Sequence, residues 1–174
     1  MFDAAKYSVL ETLRDGRAVE IRALRPEEDR ESFMAAVNLS SPQSLYRRFF
    51  GPRRHFSEAE QSFFLNPDFV KHVALVAVEQ EGGGNVIAGG GRYIVVEPGQ
   101  AEVAFMVADK FQGQGIGAAL LRHLVIIARK VGLAELSAEV LASNAAMLKV
   151  FEKSGLPTST SQAGGTVHIV MKLA

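Results

Sequence analysis

The chain of 174 residues has no cysteine. Disulfides, thiolate catalysis and cysteine-zinc sites are therefore excluded. It also lacks an excess of charge: Lys and Arg total 19, as do Asp and Glu. No overall basic field exists to hold nucleic acid by counterion release. No apolar run approaches bilayer length, and the start, Met1-Phe2-Asp3-Ala4-Ala5-Lys6, lacks the basic region and apolar core of a signal peptide. A soluble cytoplasmic protein is expected, with neither nucleic acid nor membrane as partner. The four histidines, His55, His72, His123 and His168, show no close pairing of the H-E-x-x-H kind, so no metal is expected. Internal repeats, low-complexity tracts and linkers are missing as well.

What remains is a globular composition, 48% hydrophobic and 22% charged, in a chain long enough to bury a real core. A single domain over 1–174 follows, with residues 1–17 as an N-terminal arm or hairpin strand. Asp15-Gly16, between Tyr7–Arg14 and Arg17–Leu24, reads as a two-residue type I′ hairpin turn. Pro26 with Glu27, Glu28 and Asp29 starts one helix, Ser41-Pro42 a second, and the capping box Ser57-x-x-Glu60 a third. Val70–Glu79, Val86–Val96 and Gln100–Val107, separated by turn signals, read as an antiparallel meander. Ile116, Leu120, Leu124, Ile127 and Val131 mark one face of a long helix. A strand over Leu133–Leu141, a helix through Met147, Leu148 and Phe151, and two strands around Gly164-Gly165 complete the order β-β-α-α-α-β-β-β-α-β-α-β-β.

The most informative stretch is Phe111-Gln112-Gly113-Gln114-Gly115-Ile116-Gly117-Ala118, between a strand and the long helix. Alternating glycines leave N–H groups bare at a helix N-terminus, which suits a phosphate or pyrophosphate. A Walker loop needs Lys and then Ser or Thr after its last glycine, and these are missing. The dinucleotide fingerprint needs a third glycine where Leu120 stands. What remains is Q-x-x-G-x-G/A at Gln112, Gly115 and Gly117, which resembles the acetyl-CoA pyrophosphate loop of the GNAT acetyltransferase superfamily. Asn144-Ala145-Ala146-Met147-Leu148-Lys149-Val150-Phe151-Glu152-Lys153-Ser154-Gly155-Leu156 resembles that superfamily's second signature. Leu39–Phe50, with Leu13-Arg14-Asp15-Gly16 and Ile21-Arg22, is similar to the acetyltransferase domain of bacterial protein-lysine (Pat-type) acetylases, so the likeness spans about Tyr7 to Leu173. Those acetylases often carry a further regulatory or synthetase-like domain, and none is expected within these 174 residues.

The resemblance implies an α/β (α+β) fold, with a mixed, largely antiparallel central sheet flanked by helices on both faces. It implies acetyl-CoA as cosubstrate, without a metal, and an amine acceptor: a protein lysine first, a small molecule next. A homodimer is left open. Glu102 is the implied base, with Glu97 as its rival. Phe105, Met106 and Val107 lie where main-chain groups pair with pantetheine, the Val107 N–H serving the thioester carbonyl. Gln112, Gly113, Gln114, Gly115, Ile116, Gly117 and Ala118 form the pyrophosphate cradle, mostly through main-chain N–H. Asn144 is a pantetheine contact or an ordinary helix cap, and Met147 and Phe151 lie beside the cofactor. Phe151 departs from the family's usual Tyr and has no hydroxyl to protonate a leaving thiolate. Arg47 and Arg48 line an acceptor groove or, more simply, face solvent. The non-enzymatic alternative is an acyl-CoA sensor of the same shape, and a phosphate-loop nucleotidase is remote.

Overall fold

The structure, a computed structural model, describes residues 1–50 and 56–174. His55 lies outside the described residues. Strands β1 (Ser8–Thr12) and β2 (Ala18–Ala23) form the expected N-terminal hairpin, after a short 3₁₀ turn at Ala4–Lys6. Its turn is not the expected two-residue type. Gly16 N–H donates to the Leu13 carbonyl at 2.9 Å and Leu13 N–H to that of Arg17 at 2.8 Å, so three residues close the loop. Type I′ requires a positive φ at both central residues, and here only Gly16 has one, at 89°. Asp15 avoids it and instead accepts the Arg17 N–H at 3.0 Å. The two-residue turn with both φ positive occurs at Gly82 (61°) and Gly83 (81°), which join β3 (His72–Glu81) to β4 (Gly84–Glu97).

The first three helices begin where the sequence signals place them. In α1 (Pro26–Asn38), Asp29 turns back to bind the Arg22 guanidinium through both oxygens, at 2.7 Å each, and accepts the Arg25 N–H at 2.7 Å. This buried pair fastens α1 to β2. Ser41 caps α2 (Pro42–Phe49) by accepting the Ser44 N–H at 3.1 Å, and the Ser57–Glu60 capping box opens α3 (Glu58–Leu65). The long helix is α4 (Ile116–Lys130), and α5 is Ala145–Glu152.

Among the described residues one sheet of eight strands runs in the order β1-β2-β3-β4-β5-β6-β8-β7, with β5 at Gln100–Val107, β6 at Glu135–Leu141, β7 at Thr158–Ala163 and β8 at Thr166–Lys172. Neighbours are antiparallel except β5 and β6, whose parallel pairing needs the α4 crossover. Strand β3 is buried on both faces and shows the layering. Val73, Leu75 and Ala77 pack with Leu120, Leu124 and Ile127 of α4. Ala74, Val76 and Val78 pack on the opposite face with Leu65 of α3 and Phe33 and Met34 of α1. Helices thus cover both faces of a mixed, largely antiparallel sheet, as expected.

The sheet opens between β5 and β6. Strands β5 and β6 pair only at Gln100–Glu135, Ala101–Leu136 and Glu102–Ser137. Strand β6 stays paired with β8 along its whole length, so beyond Glu102 the two strands part and leave a notch. Among the described residues no helix is long and apolar enough to cross a membrane.

Candidate active site

A groove of about 270 Å³ fills the notch. Glu102, Phe105, Met106, Val107, Gln112, Gly113, Gly115, Ile116, Gly117, Ala118, Asn144, Met147 and Phe151 all line it. Gln114 does not. Its Oε1 accepts from Arg17 and its Nε2 donates to the Lys110 carbonyl at 3.4 Å, which directs the side chain away from the notch.

The strand edge at the notch presents free main-chain groups. Ala108 N–H donates to the Ala88 carbonyl at 2.8 Å, and the register pairs Val107 with Gly89 and Phe105 with Gly91. In an antiparallel ladder, hydrogen-bonded and non-bonded pairs alternate. The N–H and C=O groups of Phe105 and Val107 therefore point away from β4, toward β6, where pairing has ceased. Gln112 Nε2 donates to the Val107 carbonyl at 3.1 Å, while the two N–H groups face the groove.

A second set of donors comes from α4. Its N-cap is Gly115, at φ 89°, and no side chain caps the first turn. Helical bonding starts with Ala119 N–H to the Gly115 carbonyl at 3.0 Å. The N–H groups of Ile116, Gly117 and Ala118 thus lack intrahelical acceptors, and all three residues border the groove. The helix dipole adds partial positive charge.

Asn144 does cap α5, accepting the Met147 N–H on Oδ1 at 3.3 Å. That bond leaves the amide nitrogen for the groove, so capping and ligand contact engage different atoms. Phe151 is 2% exposed, with its ring 5.8 Å from that of Phe105, and forms the floor.

Glu102 is exposed and points to the face carrying Ala104 and Met106. Helix α2 packs over this end of β5 and brings Arg47 and Arg48 to the groove, partly buried rather than solvent-facing. Burial pushes the Arg48 guanidinium down to about 10, against the pull of Glu102 in the opposite direction. Glu97 is exposed at the far end of β4, opposite Gln100, outside the groove. Lys149 and Lys153 are exposed and outside it too.

Sequence reading missed the Ser44–Asp109 link. Ser44 Oγ donates to Asp109 Oδ1 at 2.7 Å, and Ser41 N–H donates to Oδ2 at 3.2 Å. These bonds, with Ser44 foremost, hold the Asp109 carboxyl below its ordinary range. Gln112 Nε2 also donates to Ser44 Oγ at 3.1 Å. Helix α2, the end of β5 and the glycine loop are thereby tied together. Only the Ser41-Pro42 cap was visible locally, because the partners are 65 and 68 residues apart.

The groove therefore combines main-chain donors for an anion and a carbonyl with two carboxylates, Glu102 and Glu139, of which Glu139 is bonded to His168. The acetyltransferase (GNAT) family model matches residues 38–156. The chain is 39% identical over 139 residues to Acetyltransferase PA5475 of Pseudomonas aeruginosa, across 79% of this chain and 74% of that protein. It is 32% identical over 145 residues to Acetyltransferase Pat of Mycolicibacterium smegmatis, across 82% of this chain and 42% of Pat, so it spans less than half of that relative. The solved GNAT domain of S. lividans PAT superposes with a TM-score of 0.84 at 33% identity, over 95% of this chain and 96% of that domain. YncA of Salmonella typhimurium, solved with its cofactor acetyl-CoA, shares the fold at a TM-score of 0.71 and 18% identity, over 90% of this chain and 94% of YncA.

Proposed function

The chain belongs to the GNAT family of N-acetyltransferases, and from that premise we propose that it moves the acetyl group of acetyl-CoA to a primary amine by direct attack in a ternary complex. The observation that carries this reading is the uncapped first turn of α4 beside the unpaired edge of β5. The N–H groups at Ile116, Gly117 and Ala118 suit a pyrophosphate. The free edge of Phe105–Val107 and the Asn144 amide suit the amide-bearing pantetheine arm.

Each step then has an owner. An ammonium has no lone pair, so the acceptor must lose a proton; Glu102, which lines the groove, takes it in this reading, directly or through water. The amine attacks the thioester carbonyl while the Val107 N–H stabilises the negative oxygen that develops. The carbon–sulfur bond breaks and coenzyme A leaves as a thiolate. Phe151 has no proton to give, but a thiol of pKa about 8.5 leaves readily and takes its proton from water. With no cysteine in the chain, no acyl-cysteine intermediate forms.

A protein lysine is the first reading for the acceptor, supported by the likeness to the PAT domain. A small amine is the second, supported by a compact cavity beside the groove. The sensor alternative draws on the missing hydroxyl at Phe151. Incubation with acetyl-CoA and a mixed amine panel, following free thiol, separates these readings. Glu102→Gln is expected to keep acetyl-CoA affinity within about threefold and lose at least about 100-fold in turnover. Equal turnover by both proteins would remove Glu102 as base. Binding without turnover by either would favour the sensor.

A further inference from the structure

We propose that the acceptor carries a carboxylate beside its amine, and that Arg48 and Arg92 seat this carboxylate in a cavity adjoining the groove. The inference rests on the acetyl-transfer reading and narrows its substrate class. The cavity, about 60 Å³, lies under α1, α2 and α3 and shares Arg48, Ala104 and Met106 with the groove. Roughly 10–15 Å³ of such space holds one water, so the cavity takes a small headgroup, not a folded segment.

Its lining is mostly apolar, and its two charged residues, Arg48 and Arg92, are both cations. Arg92, on β4, is 8% exposed. Its Nη1 donates to the Phe64 carbonyl at 3.1 Å and to His72 Nε2 at 2.8 Å. Both acceptors are neutral: burial, with Arg92 itself adding to it, pushes His72 down to about 4. The guanidinium lies 5.0 Å from the Phe64 ring and 5.9 Å from that of Phe33. Arg48 lies 4.7 Å over the Phe49 ring. Burial foremost, and then the Arg48 charge, push Arg92 down to about 9, which still leaves it charged at neutral pH.

Among the described residues, no carboxylate forms an ion pair with either guanidinium. Buried Arg22 shows the alternative, since it holds Asp29 through two 2.7 Å bonds. An enclosed charge without a counterion is costly, and here two cations stand near the single carboxylate of Glu102. Each planar guanidinium fork suits bidentate capture of a carboxylate. The sheet register puts both ends of the acceptor within reach. Arg92 pairs with Ala104 and Ile94 with Glu102. Arg92 and Glu102 are therefore diagonal neighbours on one face, roughly 7–8 Å apart. A short molecule with its amine at Glu102 reaches the arginines with its carboxylate. The same group could come from a free amino acid or from an acidic residue flanking a protein lysine.

The test compares kcat/KM at saturating acetyl-CoA for β-alanine, γ-aminobutyrate and L-lysine, each against its carboxamide. It adds lysine peptides flanked by Glu or by Gln. The expected result is a preference of about tenfold or more for the carboxylate partner. A preference among free amines assigns a small molecule, and one confined to peptides assigns a protein. Arg48→Gln and Arg92→Gln should each collapse the ratio toward one, with Arg92→Lys as the substitute if the glutamine variant does not fold. Independently, the Arg48 and Arg92 Nε signals of ¹⁵N-arginine-labelled protein should shift with γ-aminobutyrate and not with its carboxamide. Equal acetylation of both partners with unmoved signals overturns the carboxylate site and leaves acetyl transfer standing. Shifted signals without acetylation of any amine overturn the transfer reading and keep the anion site.

Discussion

Gln112 donates through Nε2 to the Val107 carbonyl at 3.1 Å. The side chain at the head of the glycine loop thus occupies the outward carbonyl of the last β5 residue, and leaves that residue's N–H as its free group at the notch. The same nitrogen reaches Ser44 on α2. Both sets of main-chain donors, on β5 and on α4, are therefore registered by one amide.

The glycines at the head of α4 differ in kind. Gly115 has a φ of 89°, where a Cβ meets nothing within 4 Å but the backbone is strained. Gly117 has ordinary helical φ, and a Cβ there would sit 3.6 Å from Val150 and 3.8 Å from Val107. Gly115→Ala should lower stability by about 1 kcal/mol or more, and Gly117→Ala should leave it equal or raise it by up to about 1 kcal/mol. Urea unfolding reads both, and two changes of the same sign would contradict the assignment.

Phe151→Tyr adds a hydroxyl at the groove floor, where family members usually carry one. If coenzyme A leaves as a thiolate, kcat at pH 8 should change by less than about threefold. A rise of tenfold or more would mean that thiolate protonation limits the native protein.

The buried His72 makes stability depend on pH. Its folded value, about 4, lies below the ordinary 6.5, with burial as the main cause and Arg92 next, opposed by Asp68. Between these values the unfolded chain binds more protons than the folded one, so stability falls as pH drops from about 6.5 to about 4. The full loss is about 3 kcal/mol, with no contribution above that window. Asp68, held low chiefly by backbone N–H bonds, acts in the same sense further down, below its ordinary 3.8. Urea midpoints across this range should slope less in His72→Gln than in the native chain.

Tyr93 is fully buried, and among the described residues its hydroxyl has no hydrogen-bond partner. Burial pushes it up to about 12, so it stays protonated. Tyr93→Phe removes an unsatisfied polar group and should stabilise the protein by about 1 kcal/mol. A loss of similar size in chemical unfolding would show that the hydroxyl bonds a buried water.

Local signals carried the element order. The apolar stripe Ile116–Leu120–Leu124–Ile127 and the Ser57–Glu60 box lie within single helices, where periodicity and capping act over a few residues. The pantetheine-facing stretch Phe105–Val107 came from resemblance, because no residue in β5 records that pairing stops at Glu102. The first hairpin turn was misread since Asp-Gly fits both the two-residue turn and the loop observed, in which glycine alone takes the positive φ. The Ser44–Asp109 tie and the approach of Arg48 to Arg92 were invisible. Each depends on how α2 sits on the sheet, a tertiary relation that a basic, amphipathic eight-residue helix does not encode by itself.

The interrupted ladder between β5 and β6 has a mechanical meaning. Three residue pairs hinge a five-strand leaf, β1 to β5, to a three-strand leaf of β6, β8 and β7. A pantetheine arm lying in the gap, as proposed, would lend its amides as the missing rungs and work as mortar between the leaves. Occupancy would then stiffen the molecule across its midline, and product departure would loosen the joint at which the next donor must enter.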